Sequence, residues 1–293
     1  MSDAHYEDLR PLLFSIAYRM LGGVGDAEDF VQESYLRLER ATAEGTVVES
    51  PKAFLTTVVA RLAIDQLRSA RAQRETYFGP WLPEPVVTAQ EPDPAEVAEM
   101  ADSLSLSFLV LLETLTPVER AVFLLREVFD YGYDEIAQIV YRSEVNCRQI
   151  LARARKRIDR GKPRFAPDRR LQEQLASRFV AAFEQGRIDE LVELLAADVV
   201  FYGDGGGKGR GLPRPVFGRD RAARLLRAFI GEGRSLAARS ELTWVGGEPG
   251  VINFDAKWSS SEIRCEWLKG LAGGWRILVG DGADLSAPGG LER

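Results

Sequence analysis

Residues 133–158, YDEIAQIVYRSEVNCRQILARARKRI, constrain this chain more than any other stretch. Tyr133 to Val140 predicts a short amphipathic helix, Tyr141-Arg142 a tight turn, and Ser143 stands where a helix N-cap belongs. Beyond it, Cys147, Ile150, Leu151, Ala154 and Ile158 recur at helical spacing and define a buried face. The opposite face of the N-terminal half carries Ser143, Glu144, Asn146, Arg148, Gln149 and Arg153. That arrangement suits a helix-turn-helix, whose second helix presents its N-terminal end to base edges in the major groove. Arg pairs with guanine, Asn or Gln with adenine, and Arg155, Lys156, Arg157 and Arg160 would follow the phosphates. A merely solvated basic helix has the same pattern, so the rest of the chain has to decide. Cys147, on the inward face, reads as a small core residue.

The net charge of −6 argues against nucleic acid only if its distribution is ignored. Residues 78–113 carry seven acids and no Lys or Arg, whereas Arg142 to Arg164 holds nine Lys/Arg against Glu144 and Asp159. DNA affinity follows the local count of phosphate contacts, so the basic block matters more than the total. With two cysteines far apart, Cys147 and Cys265, a disulfide framework is not expected. No apolar run approaches the roughly 20 residues of a membrane span, and Met1-Ser-Asp-Ala-His lacks the pattern of a secretory leader. The reading is a cytoplasmic protein with no membrane partner.

Composition and periodicity divide the chain into four parts. Residues 1–76 predict three helices: Leu9 to Leu21 closed by Gly22-Gly23, a second opened by Asp26, and a third from Pro51 to about Arg74. Residues 77–94 hold five prolines counted from Pro80 and read as a linker, its apolar Trp81 expected to dock on a domain surface. Residues 95–163 are helical again, opened by a capping box at Asp93-Pro94-Ala95-Glu96 and another at Thr116-Pro117-Val118-Glu119. Residues 166–293 mix helices at Leu171–Gln185 and Ile188–Leu195 with strands at Val199–Tyr202, Ala237–Val245, Val251–Trp258, Ile263–Leu268 and Trp275–Val279. This last part predicts an α+β domain large enough for its own core.

Two of these blocks resemble the extracytoplasmic-function sigma factors, in the right order. Residues 26–37, DAEDFVQESYLR, are similar to the family's region 2 helix, and Leu115 through Ile158 to its region 4. The resemblance implies two all-α domains, a region 2 helical bundle and a region 4 helix-turn-helix. It implies core RNA polymerase as partner, through the clamp helices of the largest subunit and the flap, and promoter DNA as the target. Asp29, Gln32 and Glu33 would face the polymerase. Arg61, Asp65, Arg68, Arg71 and Arg74 would meet the downstream (−10) element, although relatives often carry Asn where this chain has Arg61. The loop from Ala41 to Ser50 would take an unstacked base. Ser143, Glu144, Asn146, Arg148, Gln149, Arg153 and Arg155 would meet the upstream (−35) element.

The linker FGPWLPEP, Asp204-Gly205-Gly206-Gly207-Lys208 and Trp244 to Gly250 resemble the subgroup whose tail is a SnoaL-like (NTF2-like) cone. Trp81 and Asp204 to Lys208 are then expected at a regulatory contact between domains. The only histidine is His5, in the first domain, and no carboxylate of the tail is singled out by spacing. Catalysis, a metal and a cofactor are not expected; a small ligand in the cone is left open. The competing reading is a stand-alone helix-turn-helix regulator with a ligand-sensing or enzymatic tail, which has no need of the residue 26–37 helix or the Arg61–Arg74 segment.

Overall fold

The protein, as a computed structural model, is described over residues 3–73, 83–84, 87–88, 106–161, 169–197, 199–203, 212, 214–233, 237–245, 248–255, 264–269 and 276–281. They fall into two compact units, Met1–Tyr77 with Leu109–Lys162 and Phe78–Phe108 with Pro163–Arg293. Trp81, Asp204 to Lys208, Arg74 and the helix expected from Asp93 lie outside the described residues.

The first unit opens with α1 (Asp3–Leu21), α2 (Val24–Ala43) and α3 (Pro51–Gln73), which pack against one another. Gly22, at φ +79°, ends α1 with its N–H on the Tyr18 carbonyl at 2.7 Å. The second helix starts at Val24 with Gly23 as its N-cap, so Asp26 sits in the first turn instead of opening the helix. There its carboxylate meets the positive end of the helix dipole. Leu13, Ile16 and Ala17 of α1, Val31 of α2, and Leu55, Val59 and Ala63 of α3 form the sealed centre.

Four more helices complete this unit: α4 (Leu106–Leu112), α5 (Pro117–Glu127), α6 (Tyr133–Val140) and α7 (Glu144–Gly161). The capping box at Thr116 is formed, with Glu119 N–H on Thr116 Oγ1 at 3.3 Å and Thr116 N–H on Glu119 Oε2 at 3.0 Å. The helix behind it ends at Glu127, two residues before the expected Phe129.

Arginines join the two halves. Arg120 of α5, only 3% exposed, donates to the Met20 carbonyl of α1 at 2.7 Å and the Leu112 carbonyl of α4 at 3.2 Å. Its remaining nitrogen is paired with Glu113 at 2.8 Å. Both carbonyls lie in last turns of helices, where the dipole favours a cation; Leu112 also accepts the Leu115 N–H at 3.0 Å, while Met20 has no intrahelical donor. In the opposite direction, Arg61 of α3 donates to the Ile139 and Gln138 carbonyls of α6 at 3.0 and 2.8 Å. Each half therefore supplies an arginine to a helix C-terminus of the other. The Thr56 and Tyr131 hydroxyls, 2.9 Å apart and buried, add a third link.

In the second unit, α8 (Arg169–Glu184), α9 (Ile188–Leu194) and α10 (Arg219–Gly233) accompany a seven-stranded sheet. The strands are β1 (Val87–Thr88), β2 (Val200–Gly203), β3 (Val216–Phe217), β4 (Ala237–Val245), β5 (Glu248–Asp255), β6 (Arg264–Lys269) and β7 (Arg276–Asp281). Their order is β1-β4-β5-β6-β7-β2-β3, antiparallel throughout except for the β2–β7 pair. Val245 pairs with Glu248 at the end of the antiparallel β4–β5 ladder. Leu175, Phe179, Leu191, Leu194, Phe201 and Leu226 are the centre of this unit's core. The α+β class is as expected, and β4 has the expected bounds, while β5 begins three residues earlier than the alternation suggested. Helix α10 and the two-residue strands β1 and β3 were not anticipated.

Strand β1 is the finding with the widest consequence. Val87 and Thr88, inside the segment read as a linker with a docking Trp81 and no strand, pair with Val245 and Trp244 and form the edge of the tail's sheet.

Arg120→Ala is expected to cost about 3–5 kcal/mol, because it takes the buried charged partner away from the Met20 carbonyl and the Glu113 carboxylate. A fall in the urea midpoint of unfolding reads this, with Arg40→Ala on the exposed face of α2 staying within about 0.5 kcal/mol.

Candidate nucleic-acid interface and polymerase-facing helix

Helix α6, its turn and helix α7 build the helix-turn-helix from local signals. Gly132 N–H bonds Glu135 Oε2 at 2.9 Å and starts α6. Tyr141 ends it in the left-handed region at φ 53°, with its N–H on the Ala137 carbonyl. A bulky residue there costs about 1–2 kcal/mol, and the Arg61 guanidinium stacked 3.8 Å over the Tyr141 ring offsets part of it. Ser143 Oγ accepts the Asn146 N–H at 3.3 Å and caps α7. Cys147, Ile150, Leu151, Ala154 and Ile158 are all buried, as their spacing required. Burial also pushes the Cys147 thiol pKa up, which leaves it a poor nucleophile.

The outward face of α7 is tied down unevenly. Ser143, Glu144, Arg148, Gln149 and Arg153 are exposed and Asn146 is half-buried. Arg148 pairs with Glu144 at 2.9 Å and lies over the Tyr133 ring at 4.6 Å. Arg155 forks onto Glu127 at 2.7 and 3.2 Å, and Arg157 reaches Glu119 at 2.6 Å with Arg153 at 4.0 Å from the same carboxylate. The Arg148–Glu144 and Arg155–Glu127 pairs are open to solvent, and pairs of that kind contribute only about 0–1 kcal/mol each, so phosphates can displace those carboxylates at little cost, whereas Glu119, 8% exposed, holds Arg157 from a buried site. Val145, 63% exposed between Glu144 and Asn146, went unnoticed in the sequence. Its signal was there: an apolar residue off the buried face, of the kind that meets a thymine methyl.

In the first three helices the expected residues separate. Asp29 and Gln32 are exposed on α2, and Glu33 is half-buried and paired with Arg37 at 2.8 Å. Leu36, 45% exposed, shares their face and was also missed. On α3, Asp65 and Arg68 are exposed and paired with each other at 3.2 Å, and Arg71 falls in the helix's last turns. Arg61 does not join them: its guanidinium is engaged by the α6 carbonyls and Tyr141. In this conformation it is not available to a phosphate.

Comparison with known proteins agrees with this geometry. Residues 5–73 match the family model of Sigma-70 region 2, and residues 105–158 that of Sigma-70, region 4. Over 254 residues, 86% of this chain and 80% of the relative, the sequence is 39% identical to the ECF RNA polymerase sigma factor SigJ of Mycobacterium tuberculosis. This chain belongs to the extracytoplasmic-function sigma factors. The crystal structure of M. tuberculosis SigJ matches with a TM-score of 0.75 at 33% identity, covering 96% of each chain. The ECF RNA polymerase sigma factor SigG of the same organism is 32% identical over 68% of this chain and 60% of its own length.

For a sigma factor, the engagement of Arg61 is consequential. One side chain of region 2 holds the turn that precedes α7 of region 4. Among the described residues no group of His, Cys, Asp and Glu could hold a metal ion, and no described helix is long and apolar enough to cross a membrane.

Arg61→Ala is expected to raise hydrogen exchange across residues 137–143 by about tenfold or more, the loss of two charge-assisted bonds. Exchange confined to wild-type rates there would show that the turn is held by other contacts.

Proposed function

We propose that this sigma factor docks on core RNA polymerase through the α2 face of Asp29, Gln32 and Glu33, reads the upstream promoter element through the first turns of α7, and is controlled in cis by its SnoaL-like tail. The carrying observation is the division of α7, whose apolar stripe is sealed in the core while Ser143, Glu144, Arg148 and Gln149 stay exposed at its capped N-terminal end. Leu36 supports the docking face, since an exposed leucine ringed by polar side chains suits a protein partner. Asp65 and Arg68 are the exposed pair on α3 for the downstream element. The polymerase contacts are the clamp helices of the largest subunit and the flap.

Control in cis rests on β1. Pairing Val87-Thr88 with Val245-Trp244 makes the segment between regions 2 and 4 part of the tail's sheet, so the tail sets how far the two regions can part. Trp81 and the Asp204 to Lys208 loop are proposed to extend that contact. The tail is read as a control domain without catalysis, and any small ligand would act by favouring or opposing this pairing.

Transcription from a promoter-bearing fragment with core polymerase tests both parts. Changing Asp29, Gln32 and Glu33 together to Ala should lower polymerase affinity by about tenfold or more; undiminished affinity and transcript would remove α2 as the docking face. Deleting residues 166–293 should change transcript yield or promoter choice by about fivefold or more. An unchanged profile would dismiss control by the tail.

A further inference from the structure

The tail carries an arginine ridge that no role so far explains. Between Arg214 and Arg227 the sequence holds five arginines against one acid, Asp220. All five are exposed. Arg221, Arg224 and Arg227 recur every third residue of α10, which lines them along one side of the helix at a rise of about 4.5 Å per step. Arg227 lies 3.5 Å from the exposed Asp189, and Arg224 Nε donates to the Asp220 carbonyl at 3.4 Å. Among the described residues, no carboxylate pairs with Arg214, Arg219, Arg221 or Arg224. Region 4 treats its arginines differently, pairing Arg148, Arg155 and Arg157 with glutamates.

Beside the ridge stands Phe217, the last residue of edge strand β3 and 58% exposed. Gly218, at φ +86°, makes the turn from β3 into α10, with its N–H on the Val199 carbonyl at 2.8 Å. That tight turn holds the ring next to Arg219 and Arg221, over an open cleft of about 460 Å³ whose floor includes Ala197. Leaving a large aromatic in water beside unpaired cations lowers solubility without helping this unit's core, which is built from other residues.

We infer that this surface binds promoter duplex DNA, with Arg219, Arg221 and Arg224 on the phosphodiester backbone and Phe217 against the sugar edge of the minor groove. Arginine ridges track phosphates, and an exposed phenylalanine flanked by arginines is the combination that minor-groove binders use. A small anion would call for cations converging in a closed pocket; here they are spread along an open edge. Covalent connection supplies the opportunity. Val87 follows the end of α3 by 14 residues and Thr88 precedes α4 by 18, at most roughly 50 and 65 Å of chain. With β1 paired, the tail stays within that reach of both promoter-reading regions.

The inference rests on the sigma reading, so the test uses the full chain bound to core polymerase and scores initiation alongside. Promoter affinity is measured from low to moderate salt for the wild type and for R219A/R221A/R224A. The slope of log affinity against log salt should become shallower by about 2–3, with R221E/R224E weakening binding further. Phe217→p-benzoylphenylalanine should crosslink to promoter DNA. A wild type that initiates, combined with an unchanged salt slope in the alanine variant, overturns the inference and leaves the sigma reading intact. Crosslinks to a polymerase subunit or to transcript alone overturn it as well. Absence of initiation by the wild type itself strikes the proposed polymerase docking instead.

Discussion

The first unit depends on arginines donating to the ends of helices that belong to the other half. A helix leaves its last carbonyls without intrahelical donors, and burying such an end without a partner costs on the order of 1–3 kcal/mol per group. Arg120 answers this for α1, and Arg61 for α6. The fork of the guanidinium suits the task, because its several N–H groups reach carbonyls on different elements at once. A lysine's three donors radiate from a single nitrogen and span less. Arg19, 4% exposed against the Phe129 ring, shows what such burial costs: desolvation brings its pKa down to about 10, still far above neutrality. The halves are thus joined by charged groups that must all stay satisfied, a join more specific in geometry than an apolar seam.

That join conflicts with the proposed promoter contacts by a simple comparison of lengths. Elements centred near −10 and −35 lie about 25 base pairs apart, or about 85 Å of duplex at the B-form rise. A compact unit of this size has a radius of gyration of about 14 Å. Regions 2 and 4 cannot remain packed and read both elements. Arg61 must leave the α6 carbonyls, Arg120 must leave Met20, and the helix ends must find water or polymerase in exchange. Since these bonds are exchanged and not simply lost, the net cost is far smaller than their strength in the closed state. Arg61, once released, would be free for the downstream-element contact that its sequence position suggests.

Local signals made most of the first unit readable from the sequence. The Thr116 capping box, the Ser143 cap and the stripe from Cys147 to Ile158 each act within a turn or two of helix, and each is present in the structure. Asp26 misled by one turn because Gly23, without a side chain to cap, is invisible to a search for capping residues. What escaped was non-local. Arg61 bonds residues 77 and 78 positions away, and nothing in its neighbourhood distinguishes it from Arg68. Two-residue strands such as β1 and β3 have no period to detect. Helix α10 was missed because its arginines obscure the apolar stripe of Ala222, Ala223 and Leu226. Val145 and Leu36 were visible as exceptions to the pattern, and exceptions are where contacts with other molecules are found.

The shortness of β1 is itself informative. A strand of two residues at a sheet edge adds only a couple of ladder bonds, each contributing about 0.5–1.5 kcal/mol net, so its pairing is among the less stable parts of the fold. A contact of that strength can be shifted by any modest differential affinity, from a ligand in the tail, from polymerase, or from DNA on the α10 ridge. Its position amplifies the shift. The segment that β1 belongs to is the covalent connection between regions 2 and 4, so pairing or releasing two residues changes the reach of the whole opened molecule. The strong arginine bonds decide that the closed unit is well defined, and the weak strand is placed where a small energy can govern the open one.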